Sequence, residues 1–312
     1  MREKKYFLFF ILLLPLIVFS EELGKIKGIV RPSRIYLEGD KIFVSDDYRI
    51  KIFSNKGFNL IKEIGRKGEG PGEFNTNPRL FLLKDSIFVW TTRKIIWLTK
   101  DGEILKEKRL PILPFKILPL KGNFVIFNME EGFYKISILD GEFKKIKELL
   151  QHKIEFSADK FNPLQAIMNF EIYDGKVIVG KGDENLIRIF DEKGNELESI
   201  KINLPRFKME DWFKKEAEED WKSRGVPSNI KLDFPEYFPL FGTFTIDNKK
   251  IYFITYKKEN NKFLWIVFDM KGKETKRVFL PAGETGTIKD DFYYWLEFDE
   301  GKEEFILHRL KI

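Results

Sequence analysis

Gly39-Asp40-Lys41-Ile42-Phe43-Val44-Ser45-Asp46-Asp47-Tyr48-Arg49-Ile50-Lys51-Ile52-Phe53-Ser54-Asn55-Lys56-Gly57 is one copy of the unit that decides the fold. It opens on a turn whose residues tolerate positive φ and passes into an apolar strand. A polar loop leads to a second apolar strand, and a glycine turn follows. The opening turn recurs at Lys84-Asp85, Gly122-Asn123, Asp174-Gly175, Asp247-Asn248 and Asp290-Asp291. An apolar triplet follows each one: Ile87-Phe88-Val89, Phe124-Val125-Ile126, Val177-Ile178-Val179, Ile251-Tyr252-Phe253 and Phe292-Tyr293-Tyr294. The second strand recurs over residues 95–98, 134–139, 186–190, 263–268 and 305–310, with glycine turns at Gly102, Gly141, Gly194 and Gly272. Self-similarity at this period marks a repeat architecture.

Within each unit polarity changes in one direction. The near-continuous Ile, Val and Phe of the first two strands suit positions covered on both faces. The next strands, such as residues 103–110 and 196–204, are dense in Lys and Glu, as suits an exposed edge that must not pair with other chains. Three of them end in Leu-Pro, at Pro111, Pro205 and Pro281. Repeated radially, such units form an all-β, six-bladed β-propeller. The sixth unit stops at Ile312 without its outer strand, and Gly24 to Val30 is a spare strand ahead of the first unit. Closure of the ring by this N-terminal strand is the expected arrangement.

Two insertions interrupt the spacing: Gln151 to Gln165, and residues 206–239 ahead of blade five. The second contains Asp211 to Arg224, where Phe213, Ala217 and Trp221 recur every four residues, the pattern of one short helix with an apolar face. Gly225 and Pro227 stop it. The connection runs from an outer strand to the next inner strand, so it is expected to lie over the channel face. Its aromatics either dock it onto the blades, the simpler reading, or form a lid with Trp212, off the packing stripe, available to a ligand.

The first twenty residues read as a secretory signal peptide, leaving residues 21–312 as the propeller domain. Arg2, Lys4 and Lys5 precede fourteen apolar or aromatic residues, Tyr6 to Phe19, and Val18 and Ser20 place small residues before a cut ahead of Glu21. The run is shorter than the ~20 residues of a membrane span, so the chain is expected to be exported, to the periplasm or beyond the cell, with the leader cleaved and no span left; a leader retained as an anchor is the alternative. The chain has no cysteine, which excludes disulfides, thiolate metal sites and a Cys nucleophile. Its net charge is +6; the leader holds three basic residues against Glu3, leaving about +4 on the mature chain. That excess is dispersed, without the clustered basic stripe of a nucleic-acid binder, and a monomer is expected.

The stretch Asp47-Tyr48-Arg49-Ile50-Lys51-Ile52-Phe53, followed by Ile64-Gly65-Arg66-Lys67-Gly68-Glu69-Gly70-Pro71-Gly72-Glu73-Phe74, resembles an NHL-type repeat. Pro78 stands where that family places Pro before the next inner strand. The whole chain resembles exported bacterial six-bladed propellers related to NHL domains, including a Tyr-Phe-Pro-x-Phe approach to the fifth blade at Tyr237 to Phe241. The resemblance implies the fold; it leaves activity open, because propellers host binding modules, lyases and lactonases alike.

Candidate chemistry is sparse. The Gly65 to Gly72 loop lacks the Lys-Ser/Thr and the following helix of a phosphate loop, and reads as a structural turn. His152 and His308 are the only histidines and are not at zinc-ligand spacing. No Gly-x-Ser-x-Gly elbow is present. No cofactor is expected, but calcium stays open: propeller lactonases gather Glu, Asn and Asp at the channel mouth, and Asp46, Asp47, Asp183, Asn185 and Asp299 fall in comparable loops. Solvated loop acids are the simpler reading of these. Arg34 and Arg79 begin inner strands just after Pro32 and Pro78, and Arg31, Arg49, Arg66 and Arg93 lie in loops of the same face. They can form an anion-recognising rim or pair with Asp46, Asp47 and Glu73, the simpler alternative. The candidate ligand-binding set is therefore Arg34, Arg79, Arg49, Arg66, Asp46, Asp47 and Trp212. The function expected is a ligand- or protein-binding scaffold for a protein, peptide or small anion, with a calcium-dependent hydrolase or lyase of lactonase type as the alternative.

Overall fold

The computed structural model describes residues 20–155, 157, 159–165, 167–223, 225, 230–281 and 285–312. The leader reading, except for Ser20, falls outside these residues, as do Arg224 and Pro227. No helix among the described residues is long and apolar enough to cross a membrane.

Six four-stranded antiparallel sheets follow one another as blades. Blade 1 is Pro32–Glu38, Lys41–Asp46, Arg49–Ser54 and Leu60–Ile64; blade 2 is Arg79–Leu82, Ile87–Trp90, Lys94–Leu98 and Ile104–Arg109. Blade 3 is Pro114–Leu120, Asn123–Glu130, Phe133–Leu139 and Lys145–Lys153; blade 4 is Met168–Tyr173, Lys176–Lys181, Leu186–Phe190 and Glu196–Lys201. Blade 5 is Thr243–Asp247, Lys250–Glu259, Lys262–Asp269 and Glu274–Pro281. Blade 6 takes Thr287–Lys289, Phe292–Asp299 and Glu304–Lys311 from the C-terminus and Glu21–Ile26 from the N-terminus.

The polarity gradient has its expected cause. Ile87–Trp90 is buried along its whole length, whereas Ile104–Arg109 in the same blade is exposed or half-buried throughout. Prolines sit where a strand edge needs no donor: Pro32, Pro114 and Pro119 are on innermost strands and Pro281 on an outermost one. The hairpin turns use paired positive-φ residues, such as Asp47 and Tyr48 (φ 43° and 65°) and Asn260 and Asn261 (47° and 60°), as two-residue loops of type I′ require.

Apolar layers lie between successive blades. The layer between blades 6 and 1 joins Ile26, Leu296 and Leu307 to Ile35, Ile42, Val44 and Phe53. A glycine contact recurs at the outer rim. In blades 4 and 5 the turn before the outer strand is fastened by an aspartate: Asp191 accepts the N–H groups of Lys193 and Asn195, and Asp269 those of Lys271 and Lys273. The glycine of that turn rests on the outer strand of the preceding blade. A Cβ on Gly194 would stand 2.6 Å from Lys147 Cγ, and one on Gly272 only 2.1 Å from the Lys201 carbonyl oxygen. Blade 1 inverts the arrangement. Its turn carries Phe58, and the receiving strand of blade 6 carries Gly24, where a Cβ would lie 2.3 Å from the ring.

The N-terminal strand closes the ring, paired antiparallel to Glu304–Lys311 from Glu21↔Arg309 to Ile26↔Phe305. It occupies Glu21–Ile26 rather than the expected Gly24 to Val30. The reason lies in blade 1. The Val30 and Arg31 N–H groups bond the Asp46 carboxylate at 3.0 and 2.6 Å, which turns this segment away from blade 6.

The helix spans Asp211–Ser223. The two insertions meet: Lys160–Phe161 pairs in parallel with Lys231–Leu232, forming a small sheet that the spacing of the repeats gave no sign of. The base of the larger insertion is held by Met209 N–H to Glu236 O and Phe238 N–H to Phe207 O, both 2.9 Å. The helical stripe packs as its period requires: Phe213 meets Phe234, Phe238 and Tyr256 edge-on, and Trp221 stacks on Phe161.

Candidate functional site

Each inner strand begins on the channel face that also carries the connections between blades. In blades 1 and 3 the strand starts with a register shift, between Pro32 and Arg34 and between Pro114 and Lys116. Such bulges re-aim side chains next to functional sites. In blade 2, Arg79 follows the buried Pro78 directly and pairs with Trp90.

Polar contacts stitch the inner strands together around the ring. Leu80 N–H donates to the Tyr36 hydroxyl at 3.1 Å, and Arg79 Nη1 donates to the Phe115 carbonyl at 3.1 Å. Lys116 Nζ reaches Asn169 Oδ1 at 3.1 Å, Glu171 Oε1 at 2.8 Å and the Phe170 carbonyl. Asn169 in turn donates to Thr243 Oγ1 at 2.8 Å and the Phe244 carbonyl at 2.7 Å. Asp291 N–H bonds Asp247 Oδ2 at 3.2 Å, joining blades 5 and 6, and Ile35 N–H bonds the Thr285 carbonyl at 3.3 Å, joining blades 6 and 1.

A cleft of about 700 Å³ opens at this mouth over blades 1 to 3, with Arg34 and Arg79 in its walls beside Thr76, Asn77, Thr92 and Phe115. Both guanidinium-bearing residues are exposed. Their field reaches into the channel. Burial lowers the Lys116 pKa below the lysine norm, Glu171 opposes that shift, and Arg34 and Arg79 add to it. Burial raises the Tyr36 pKa, and the same two arginines counter it. The two exposed arginines thus add positive charge at this mouth, while the buried Lys116 is neutralised by its ion pair with Glu171.

The other candidates are placed differently. Arg66 pairs with Glu73 at 2.7 Å, as the salt-bridge alternative expects, and Glu73 also caps Gly70 N–H at 2.9 Å. The Gly65 to Gly72 loop is thereby a structural turn, delivering the fully buried Phe74 to the layer between blades 1 and 2. Arg49 pairs with Glu63 at 2.9 Å instead of Asp46 or Asp47. Asp46 is not a rim acid. It is fully buried, and its partners are Lys51 Nζ at 2.7 Å and the backbone of the N-terminal segment. Asp47 belongs to a tight turn. The calcium-type candidates are dispersed: Asp183 pairs with Lys181 at 3.0 Å, Asp299 with Lys302 at 3.0 Å, and Asn185 Oδ1 accepts from Leu204 N–H at 3.1 Å. Among the described residues, no three His, Cys, Asp or Glu side chains gather as a metal site.

Trp212 contacts the insertion and blade 5. Its Nε1 donates to Glu210 at 3.1 Å, its ring meets Phe213, Phe238 and Phe263, and Lys258 Nζ stands 4.5 Å over it. The described lining of the Arg34–Arg79 cleft includes no residue of the insertion. Trp212→Ala and Trp221→Ala are each expected to cost about 1–3 kcal/mol, measured by thermal unfolding. An unchanged melting temperature for Trp212→Ala would instead leave that ring free for a partner.

A family model described as a 6-bladed beta-propeller, DUF5128, matches residues 27–163. No curated protein matches the chain. Among solved structures, a member of the DUF4221 family from Bacteroides vulgatus is similar in fold, with 11% identity over 94% of this chain and 96% of that one and a TM-score of 0.56. A luciferin-regenerating enzyme shows 11% identity over 95% of each chain with a TM-score of 0.48. BamB from Moraxella catarrhalis shows 9% identity over 94% of this chain and 98% of that one, with a TM-score of 0.41. The protein is a six-bladed propeller with a basic cleft at one mouth of its channel.

Proposed function

We propose that this propeller is an exported binding module that takes a carboxylate-bearing ligand in the cleft over blades 1 to 3. The observation that carries the reading is the placement of Arg34 and Arg79, both exposed, in the walls of one cleft of about 700 Å³. Two planar guanidiniums on rigid strands suit carboxylate recognition. The engagement of Asn169 and Glu171 on the inner strand of blade 4 favours binding over hydrolysis. A lactonase-type centre needs several Glu, Asn and Asp oxygens free to converge on a cation, whereas Asn169 and Glu171, which reach the channel, are engaged by Lys116. Export rests on the leader-like character of residues 1–20.

The test is titration calorimetry with citrate and with a short peptide carrying aspartates at one end. Wild-type protein is expected to bind at least one of these probes. Arg34→Gln combined with Arg79→Gln is expected to weaken that binding by about a hundredfold, as the loss of two charged hydrogen-bonding groups implies. Both positions are exposed, and the hydrogen bond from Arg79 to the Phe115 carbonyl is solvent-accessible, so stability should fall by no more than about 1.5 kcal/mol. Unaltered affinity in the double variant would refute the site.

A further inference from the structure

We propose that the anion cleft is the inner half of a longer trough across blade 2, built for an extended acidic peptide segment with acidic residues at both ends and apolar side chains between. The proposal rests on the reading of Arg34 and Arg79 as an anion site and adds a second end to it. A separate cleft of about 430 Å³ lies over the outer part of blade 2, with Arg93 and Arg109 in its walls. Both are exposed and line the same cleft: Arg109 pairs with Lys94, the residue after Arg93, and Leu110 N–H, the residue after Arg109, bonds the Arg93 carbonyl at 2.8 Å.

The two clefts are consecutive. Three loops contribute adjacent residues to each: Asn75 faces the outer cleft and Thr76 the inner, Arg93 the outer and Thr92 the inner, Leu113 the outer and Pro114 the inner. The saddle between them is the side-chain pair Asn75 and Thr92, bonded at 3.2 Å on the solvent side. A ligand crossing it meets amide and hydroxyl groups, as a peptide backbone requires.

The charges at the outer end are arranged to leave a positive surplus. Lys94 is buried and spent on Gly70 O at 2.7 Å and Glu107 at 3.1 Å, while Glu107 also accepts Gly72 N–H at 3.0 Å. That pair cancels. Arg93 and Arg109 then face the exposed Glu69, two positive charges to one negative. Between the cationic ends, Leu113 is 69% exposed and Phe115 47% exposed, beside Pro111 and Ile112. Apolar surface of this kind suits leucine or valine side chains. Two cationic ends separated by an apolar stretch call for an extended ligand, because a compact anion can satisfy only one of them.

The experiment is fluorescence anisotropy on the full mature chain with three labelled probes. These are a short peptide with paired aspartates at both ends around leucines, the same peptide with asparagines replacing the aspartates at one end, and an oligogalacturonate of similar length. The two-ended peptide is expected to bind about tenfold more tightly than the one-ended peptide, since the second contact is intramolecular once the first is made. Arg93→Gln with Arg109→Gln should erase that difference without changing the affinity for the one-ended peptide or the melting temperature. Equal affinities of the two peptides for wild-type protein, or an outer double variant without effect, would overturn the trough. If Arg34→Gln with Arg79→Gln still abolished one-ended binding in that case, the inner anion site would stand alone. Tighter binding of the oligogalacturonate with the same dependence on Arg93 and Arg109 would overturn the peptide assignment. Binding of none of the probes would overturn both readings together.

Discussion

Asp46→Ala is expected to cost about 3–5 kcal/mol, because it strands a buried charge. Asp46 and Lys51 are both buried, with Lys51 Nζ 2.7 Å from the carboxylate and 3.8 Å from Glu63. The same lysine donates to the Gly28 carbonyl, and Asp46 holds the N–H groups of Val30 and Arg31. Alanine therefore leaves an ammonium without its main counter-charge and two donors without an acceptor. Lys51→Met should cost less, since the carboxylate keeps its backbone donors. The double variant Asp46→Ala with Lys51→Met should be more stable than Asp46→Ala alone, because no buried charge is left. Urea unfolding followed by tryptophan fluorescence measures all three. A single Asp46→Ala variant within about 1 kcal/mol of wild type would show that water reaches the pair and that it does not latch the N-terminal segment.

The contrast between Asp46 and Arg34 marks the boundary of what a sequence makes legible here. Blade number, strand order and the closing strand were all carried by local features: turn residues, apolar triplets and a polarity gradient that repeats six times. The placement of Arg34 and Arg79 on one mouth also followed, because the residue after a proline at the start of an inner strand has its position set by topology. From the sequence Asp46 reads as a loop acid beside Asp47, available to the arginines or to a cation. Its burial depends on Val30 and Arg31 being laid across it, a contact between segments 15 and 16 residues apart that no periodicity announces. Lys94 and Lys135 were missed in the same way. Each is buried at the second apolar strand of its blade, with acids from other strands or turns over its ammonium. The signal was present in hindsight as a lone lysine in an apolar strand, but its partners lie on different strands and turns. The outer cleft at Arg93 and Arg109 is a third instance, since it forms only when three loops converge.

Deleting Glu21–Ile26 is expected to have the larger effect, lowering the melting temperature by more than about 10 °C, at a few degrees per kcal/mol for a domain of this size. The strand supplies the outer edge of blade 6 and buries Ile26 to 1% exposure in the layer against blade 1. Its loss uncovers Leu307 and Phe53 and leaves Glu304–Lys311 as an unprotected edge, open to pairing with other chains. Loss of the strand must be separated from loss of its covalent link to blade 1. The register makes this simple: Glu21 lies opposite Arg309, so the C-terminal end at Ile312 is close to the start of the strand. A permuted chain that begins at Lys27 and joins Ile312 to Glu21 through a short glycine linker should restore most of the lost stability, because pairing and burial return while only the ring's covalent continuity is given up. The Gly24 site offers a milder version of the same test. Gly24→Val would place a branched side chain where even a Cβ stands 2.3 Å from the Phe58 ring, and overpacking of that kind costs about 1–3 kcal/mol. Phe58→Ala in the same background should recover part of it. A deletion variant that melts with the wild type would mean that the six blades hold together without this strand, and that closure lies in the apolar layers alone.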